Sequence, residues 1–416
     1  MVETIKEDGL LAELRRRTGQ MVEQLGRLVS AETPSEDLAA CAAGAQVVSG
    51  LGKEILGDPA EFVEVDGRTH LRWRWPARPG GATIALIGHF DTVWPLGTLG
   101  RWPFAVDEAA GTATGPGCFD MKAGIVQLLH AVSVLDDRAG VEILLTSDEE
   151  VGSQSSRQLI EELGRRATAA LVLEGSGRGA LKTGRKGTGM YRLEVTGRAA
   201  HAGLEPEKGA NALTALAHLL LAVDALARPE LGSTVTPTLS AAGTAGNTVP
   251  AHAYVELDVR VSGQQEAERI DAALRSLATT APVVPGTSLT VSGGPHRPPL
   301  PPSSSAALFR RAGARASALG LGELRSVVVG GASDGNFTAA VGCPTLDGLG
   351  AVGDGAHAEG EHISIADLPE RAALLAHLID DLRTGPDHTG PDSTAPGRTA
   401  PGRTAPGRAA VARGNT

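Results

Sequence analysis

Seven side chains of the types that bind divalent cations or move protons stand where the sequence pattern changes: His89 and Asp91 in GHFDTV, Asp120 in GPGCFDMKAG, Glu149 and Glu150 in TSDEEVGS, Glu174 ending LVLE, and His357 in GAVGDGAHAEGEHI. Two cations sharing a bridging carboxylate need about five imidazole or carboxylate ligands, plus a general base that does not itself bind tightly. The chain supplies that set. His89 and Asp91 are two apart, so on a strand they share a side, and the Asp can accept the imidazole's second N–H while the His ligates. Taken alone, a buried His–Asp pair at a strand end explains them equally well. Asp120, in a Gly-rich turn before GIVQLLHAVSVL, has the ordinary reading of a helix N-cap. Glu149 and Glu150 beside Asp148 repel unless a cation or proton compensates them, and amide hydrolysis can use one as ligand and its neighbour as base. A solvated acidic turn is the plainer alternative. Glu174 and His357, one by one, read as an exposed strand terminus and a loop histidine.

The elements that position these residues follow from hydrophobic periodicity. Up to about Gly57, LLAELRRR, MVEQLGRLV and LAACAAGAQVVSGL repeat at helical spacing with a break at Pro34, predicting two helices. From Glu61 to His89 alternation and short apolar runs predict strands. TIALIG, VEILLT and AALVLE are apolar without alternation, as in strands of a parallel sheet covered on both faces. His89, Glu149, Glu150 and Glu174 come where these runs stop, at the carboxyl ends where open α/β sheets place ligands. From Lys186 to Pro295 the order is strand, helix, strand, strand, helix, strand. That is a βαββαβ, ferredoxin-like α+β insert. A helix from Ser304 to Leu319, SVVVG, the GGASDGN loop and LPERAALLAHLIDDL then return to the first fold. The expected class is α/β: a mixed, largely parallel sheet sandwiched by helices in a discontinuous catalytic domain, residues 1–185 and 296–383, with the insert at 186–295. The glycines of GGASDGN are expected to approach substrate, with Asp334 structural. Residues 384–416 carry TAPGR repeats without the apolar residues that offset ordering entropy, and a disordered tail is predicted.

Bulk properties exclude several classes. With 48 acidic against 38 basic residues, the net charge is −10, and no basic cluster offers a nucleic-acid footprint. The N-terminus lacks the apolar core of a signal peptide, and no stretch reaches the roughly 20 apolar residues of a membrane span. A soluble, cytoplasmic protein is expected. Cys41, Cys118 and Cys343 lack metal or disulfide spacing and are expected reduced and mostly buried.

The order GHFDTV, GPGCFDMKAG, TSDEEVGS, a Glu ending the next strand, RAAHAG and GDGAHAEGE resembles the co-catalytic dizinc metallopeptidase family, which contains bacterial glutamate carboxypeptidase, aminoacylases, acetylornithine deacetylase and succinyl-diaminopimelate desuccinylase. The resemblance spans residues 5–383. It implies two Zn²⁺ per subunit, replaceable by Co²⁺ or Mn²⁺: His89 and Glu174 on one, Glu150 and His357 on the other, Asp120 bridging. Asp91 would orient His89, and Glu149 would serve as base and then acid. It also implies a lid and dimerisation role for the insert, a homodimer, His201 as an oxyanion donor reaching the partner subunit, and Arg260 and Asn247 as substrate-binding residues. The stretch from Gly184 to Leu213 is most similar to the glutamate carboxypeptidase branch, so release of C-terminal glutamate from a peptide or N-acyl amino acid is expected. That product needs a further cation, for which Arg178, Lys182, Arg185 and Arg297 are candidates. Two alternatives stay open: an N-acyl-amino-acid deacylase, and a metal-binding scaffold without turnover.

Overall fold

The computed structural model describes residues 7–280 and 282–384, so the predicted tail, apart from Thr384 at the end of the last helix, lies outside the described residues. The apolar runs build a six-stranded sheet in the order Glu61–Val65, Arg68–Arg74, Val141–Thr146, Ile84–His89, Ala169–Val172, Thr345–Leu346. The last four are mutually parallel, and Arg68–Arg74 joins them by antiparallel pairing with Val141–Thr146. Ile84 and Leu86 pack into the cluster under the helices Ala123–Ser133 and Asp367–Thr384, whereas Ala85 and Ile87 pack against Ile160, Leu163 and Phe337 on the opposite face. Both faces are covered, which is why the run does not alternate. Strands later in the chain flank Ile84–His89 on both sides. Connections therefore diverge at its carboxyl end and open a crevice there.

The N-terminal region corrects one expectation. It forms three helices, Glu7–Arg16, Thr18–Ser30 and Leu38–Leu56, rather than two. The Thr18 hydroxyl donates to the Arg15 carbonyl at 2.8 Å, and such local bonding competes with the helical ladder at the break.

A second sheet has the order Thr234–Ala242, His252–Val261, Gly187–Thr196, Ser288–Arg297, antiparallel throughout. Helices Ala212–Asp224 and Gln264–Thr279 cover one face with a separate apolar cluster that includes Leu193, Leu257, Ile270 and Leu274. Along Gly187–Thr196 buried and open positions alternate, so Met190, Arg192 and Glu194 face away from the helices. A small sheet of Gly353–Asp354, His362–Ser364, Thr112–Thr114 and Ala105–Asp107 presents the His357 loop between its first two strands. The cysteines are buried and free, and among the described residues no helix is long and apolar enough to cross a membrane.

Candidate metal centre

His89 ends the central strand, and Asp91 follows, fully buried. The His89 Nδ1 lies 3.0 Å from the Asp91 main-chain oxygen and 3.4 Å from its Oδ1. A carbonyl oxygen only accepts, so Nδ1 carries a proton, and a neutral ring would leave its lone pair on Nε2. That Nε2 faces Asp120 Oδ1 at 3.3 Å and Glu174 Oε1 at 3.5 Å. The Asp91 carboxylate accepts from Ser35 Oγ at 2.7 Å and from the backbone N–H groups of Glu149 and Glu150 at 3.2 Å each. It thereby ties the His89 strand to the glutamate turn.

Asp120 stands in the irregular segment Cys118–Lys122, which the Glu361 carboxylate holds by accepting from the N–H groups of Gly117, Phe119 and Asp120 at 3.0, 2.7 and 2.9 Å. Gly124 lets the following helix press on the segment after the strand Ala169–Val172, which carries Glu174, since a Cβ there would meet the Leu173 carbonyl oxygen at 2.1 Å. Asp120 Oδ2 faces His357 Nε2 at 3.4 Å, and Glu150 Oε2 is 3.0 Å from the same nitrogen. His357 has φ 62°, a left-handed conformation uncommon outside glycine and frequent at functional sites. Glu149 is held differently: Arg297 Nη2 sits 3.0 Å from its Oε1 and donates to its main-chain oxygen at 3.0 Å.

The charge state follows from this crowding. Burial pushes the Glu149 carboxyl well up despite Arg297, and raises Glu150 despite its bond to His357. Asp120 and Glu150 pull the His357 imidazole up to about 10. For His89 burial opposes protonation, but Asp120, Asp91 and Glu174 outweigh it and the ring is raised as well. The acidic cluster demands positive charge. A neutral His89 would aim its lone pair at carboxylate oxygens, an arrangement a cation between them satisfies. His89 with Asp120 and Glu150, and His89 with Glu149 and Glu174, offer ligand atoms all within 4.8 Å of one another. Imidazole and carboxylate donors of this kind fit zinc and its transition-metal neighbours.

The cluster floors a cleft of about 690 Å³ whose walls include Lys182, Arg185, Arg260, Arg297 and Met190. Arg260, on the second sheet, bonds Asp258 at 2.7 and 2.8 Å. His201 and Asn247 lie together away from this cleft: the Ala202 N–H donates to the Asn247 carbonyl at 2.8 Å, and exposed His201 accepts at Nδ1 from Gly203 and Leu204. Among the cations considered for a glutamate side chain, Arg178 is exposed beside Asp354, outside the cleft. Arg185 and Arg297 line it with their guanidiniums engaged by Asp347 and Asp334, whereas the Lys182 amine stands 3.8 Å from Glu174. Sequence reasoning missed the structural part played by Glu361, which stands four residues after His357 in AHAEGE. It also missed the Arg297–Glu149 contact, whose partners lie 148 residues apart.

Residues 85–381 match the peptidase family M20/M25/M40. Carboxypeptidase G2 of Pseudomonas sp. (strain RS-16) is 31% identical over 324 residues, 74% of this chain and 75% of that protein. Succinyl-diaminopimelate desuccinylase of Leptothrix cholodnii is 31% identical over 369 residues, 82% of this chain and 93% of the relative. A tripeptidase from Staphylococcus aureus superposes with TM-score 0.70 at 19% identity, covering 88% of this chain and 98% of that one. An M20 family metallo-carboxypeptidase from Sulfolobus solfataricus does so with TM-score 0.66 at 16% identity, over 88% and 98%. The mixed α/β fold is shared with these structures, and the extent of the family match settles the assignment: the chain belongs to peptidase family M20/M25/M40, a family of metal-dependent hydrolases.

Proposed function

We propose that this protein hydrolyses an amide bond with two zinc ions, one held by His89 and Glu174, the other by Glu150 and His357, with Asp120 shared. The observation that carries this reading is that Asp120 turns one oxygen toward each imidazole, Oδ1 to His89 at 3.3 Å and Oδ2 to His357 at 3.4 Å. When bound, the ions acidify water and polarise the substrate carbonyl. Glu149 accepts the proton of the attacking water and returns it to the leaving amine as the C–N bond breaks, giving a carboxylate and a free amine. Arg297 keeps the Glu149 carboxylate turned to the cleft. Arg260 receives the substrate's α-carboxylate as a planar, bidentate donor. In a homodimer, His201 of one subunit, with Asn247 beside it, reaches the other subunit's centre as oxyanion donor, and the insert serves as lid.

The substrate is a peptide or N-acyl amino acid with C-terminal glutamate, whose side-chain carboxylate meets Lys182. The similarity to the desuccinylase favours a second reading, N-acyl-amino-acid deacylase with the same machinery. A hydrolysis screen of both substrate classes with zinc, cobalt and manganese separates them. Glu149→Gln tests the mechanism: turnover falls by about 10² to 10⁴-fold, as for loss of a general base, while metal content stays at the wild-type level. If Glu149→Gln loses metal and Glu150→Gln keeps both metal and activity, the two roles are exchanged.

A further inference from the structure

The chain enters the antiparallel sheet of the insert at Arg185–Gly187, from the strand Leu181–Arg185 that pairs with Ser326–Val329, and leaves it at Arg297–Leu300 for the helix Pro302–Ala318, and the two passages are bonded to each other. The N–H of Arg185 donates to the Leu300 carbonyl at 3.0 Å and the N–H of Leu300 returns the bond at 3.0 Å. They also touch so closely that a Cβ on Gly187 would stand 2.7 Å from the Pro299 nitrogen. The buried Asn336 amide clamps both: Nδ2 donates to the Lys186 carbonyl at 3.1 Å and to the Pro298 carbonyl at 2.7 Å, while Oδ1 accepts from the Ser333 N–H at 2.9 Å. Each passage further carries a buried arginine that reaches a carboxylate of the metal centre. Arg185 Nη2 stands 3.3 Å from Glu174 Oε2, and Arg297 Nη2 stands 3.0 Å from Glu149 Oε1.

Both arginines are anchored on or through the turn that holds Asn336. Asp334 pairs with Arg297 at 2.9 Å. Ser333 Oγ donates to Asp347 at 2.6 Å, and Asp347 holds Arg185 at 2.6 Å. The Phe337 ring, one residue beyond Asn336, supports the Arg297 guanidinium at 4.8 Å. Of this loop only Gly331 among the glycines stands in the cleft wall, with Ala332 beside it, and the polar residues after them turn to the passages and their arginines.

We infer that the Ser333–Asp334–Asn336 turn is a positioning element: it fixes the entry to and the exit from the antiparallel insert sheet in register and, through Arg185 and Arg297, sets where Glu174 and Glu149 stand in the metal centre. Asn336 is the positioning residue, since it touches both passages and neither the cleft nor any candidate ligand. Its effect on turnover rests on the proposed hydrolase reading; its hold on the passages does not.

Asn336→Asp tests this in the full chain loaded with zinc. The carboxylate keeps the acceptor for Ser333 but replaces the donor to both passage carbonyls. Losing two buried hydrogen bonds speeds amide hydrogen exchange at Arg185, Lys186 and Leu300 by about tenfold or more, while the helix Ala123–Ser133 exchanges as in wild type. Zinc content stays at the wild-type level, and kcat falls by up to about 10²-fold with a smaller change in KM, as for a catalytic group displaced by about an ångström. Should the aspartate variant not fold, Asn336→Ser removes the same donor without adding charge and takes the same readouts. Unchanged exchange at the passages, or exchange raised equally in the helix, overturns the inference. A wild-type protein that hydrolyses neither substrate class overturns the hydrolase reading instead, and the exchange comparison still decides the role of Asn336.

Discussion

The two sheets treat charge in opposite ways. At the carboxyl end of the six-stranded sheet, carboxylates crowd together with little solvent: Glu174 and Asp91 are buried, and burial drives the Glu149 and Glu150 carboxyls up. On the open face of the four-stranded sheet, charges stand in complementary, partly exposed pairs, Arg192 with Glu256 and Arg260 with Asp258. A half-exposed pair needs nothing beyond water. A buried acidic cluster is unstable by itself, because removing each carboxylate from water costs several kcal/mol unless positive charge compensates it. The first region is thus organised around something it binds, and the second around itself.

Removing metal is the most severe way to break that contrast. Dialysis against a chelator is expected to abolish turnover and to lower the apparent Tm, with both restored by zinc, cobalt or manganese. Binding at a thousandfold excess over Kd stabilises a fold by about 4.1 kcal/mol, so the shift is large enough to measure calorimetrically. An apo protein with unaltered Tm and full activity would remove the premise that the acidic cluster is a cation site.

A smaller loss is expected from His201, which the structure leaves exposed and away from the cleft of its own chain. His201→Ala should lower turnover by about 10² to 10³-fold, the usual effect of losing one oxyanion donor, with metal retained. Mixing it with Glu149→Ala under conditions that exchange subunits should restore activity, because one site of the mixed dimer then combines an intact Glu149 with the partner's intact His201. Verified exchange without recovery would place His201 outside the mechanism or confine it to its own chain. The second sheet would then serve the site only through Arg260, which lines the cleft.

How far each region could be read from sequence follows the same division. The strands ending at His89 and Thr146 were legible because both faces are covered, so their runs are apolar apart from Glu142 and the polar residue that ends each run is conspicuous. The alternating strands of the second sheet were legible for the complementary reason, one face packed and one open. Arg297 was not: read locally it is a charge in a Pro-rich stretch, and its partners Glu149, Ser153 and Asp334 come from distant segments joined only by the fold. Nor did local pattern reveal that Glu361 organises the Asp120 segment, since it does so through backbone N–H groups, which leave no mark in side-chain type. The missed break at Arg17 is of the same kind, a matter of which carbonyl a threonine hydroxyl chooses.

Two substitutions of like chemistry sharpen the comparison at the level of stability. Arg297 and Asp334 form a pair in which both side chains are 5% exposed or less. Asp334→Ala leaves a buried guanidinium with one counter-charge fewer, and breaking a buried pair in this way costs about 3–5 kcal/mol. Arg192 and Glu256, at 3.0 Å, are 39% and 34% exposed, and the guanidinium also lies over the Tyr254 ring at 3.6 Å. Water already solvates much of both groups, and an exposed pair contributes about 0.2–1 kcal/mol, screened further by salt. Glu256→Ala removes the ion pair but leaves Arg192 its ring contact and the Glu194 carboxylate at 3.9 Å. The denaturation midpoint should therefore move only slightly, and less still at high ionic strength, while that of Asp334→Ala stays depressed under both conditions. A Glu256→Ala loss as large as that of Asp334→Ala, and equally insensitive to salt, would mean that the open face is covered in solution and that its pairs are buried ones.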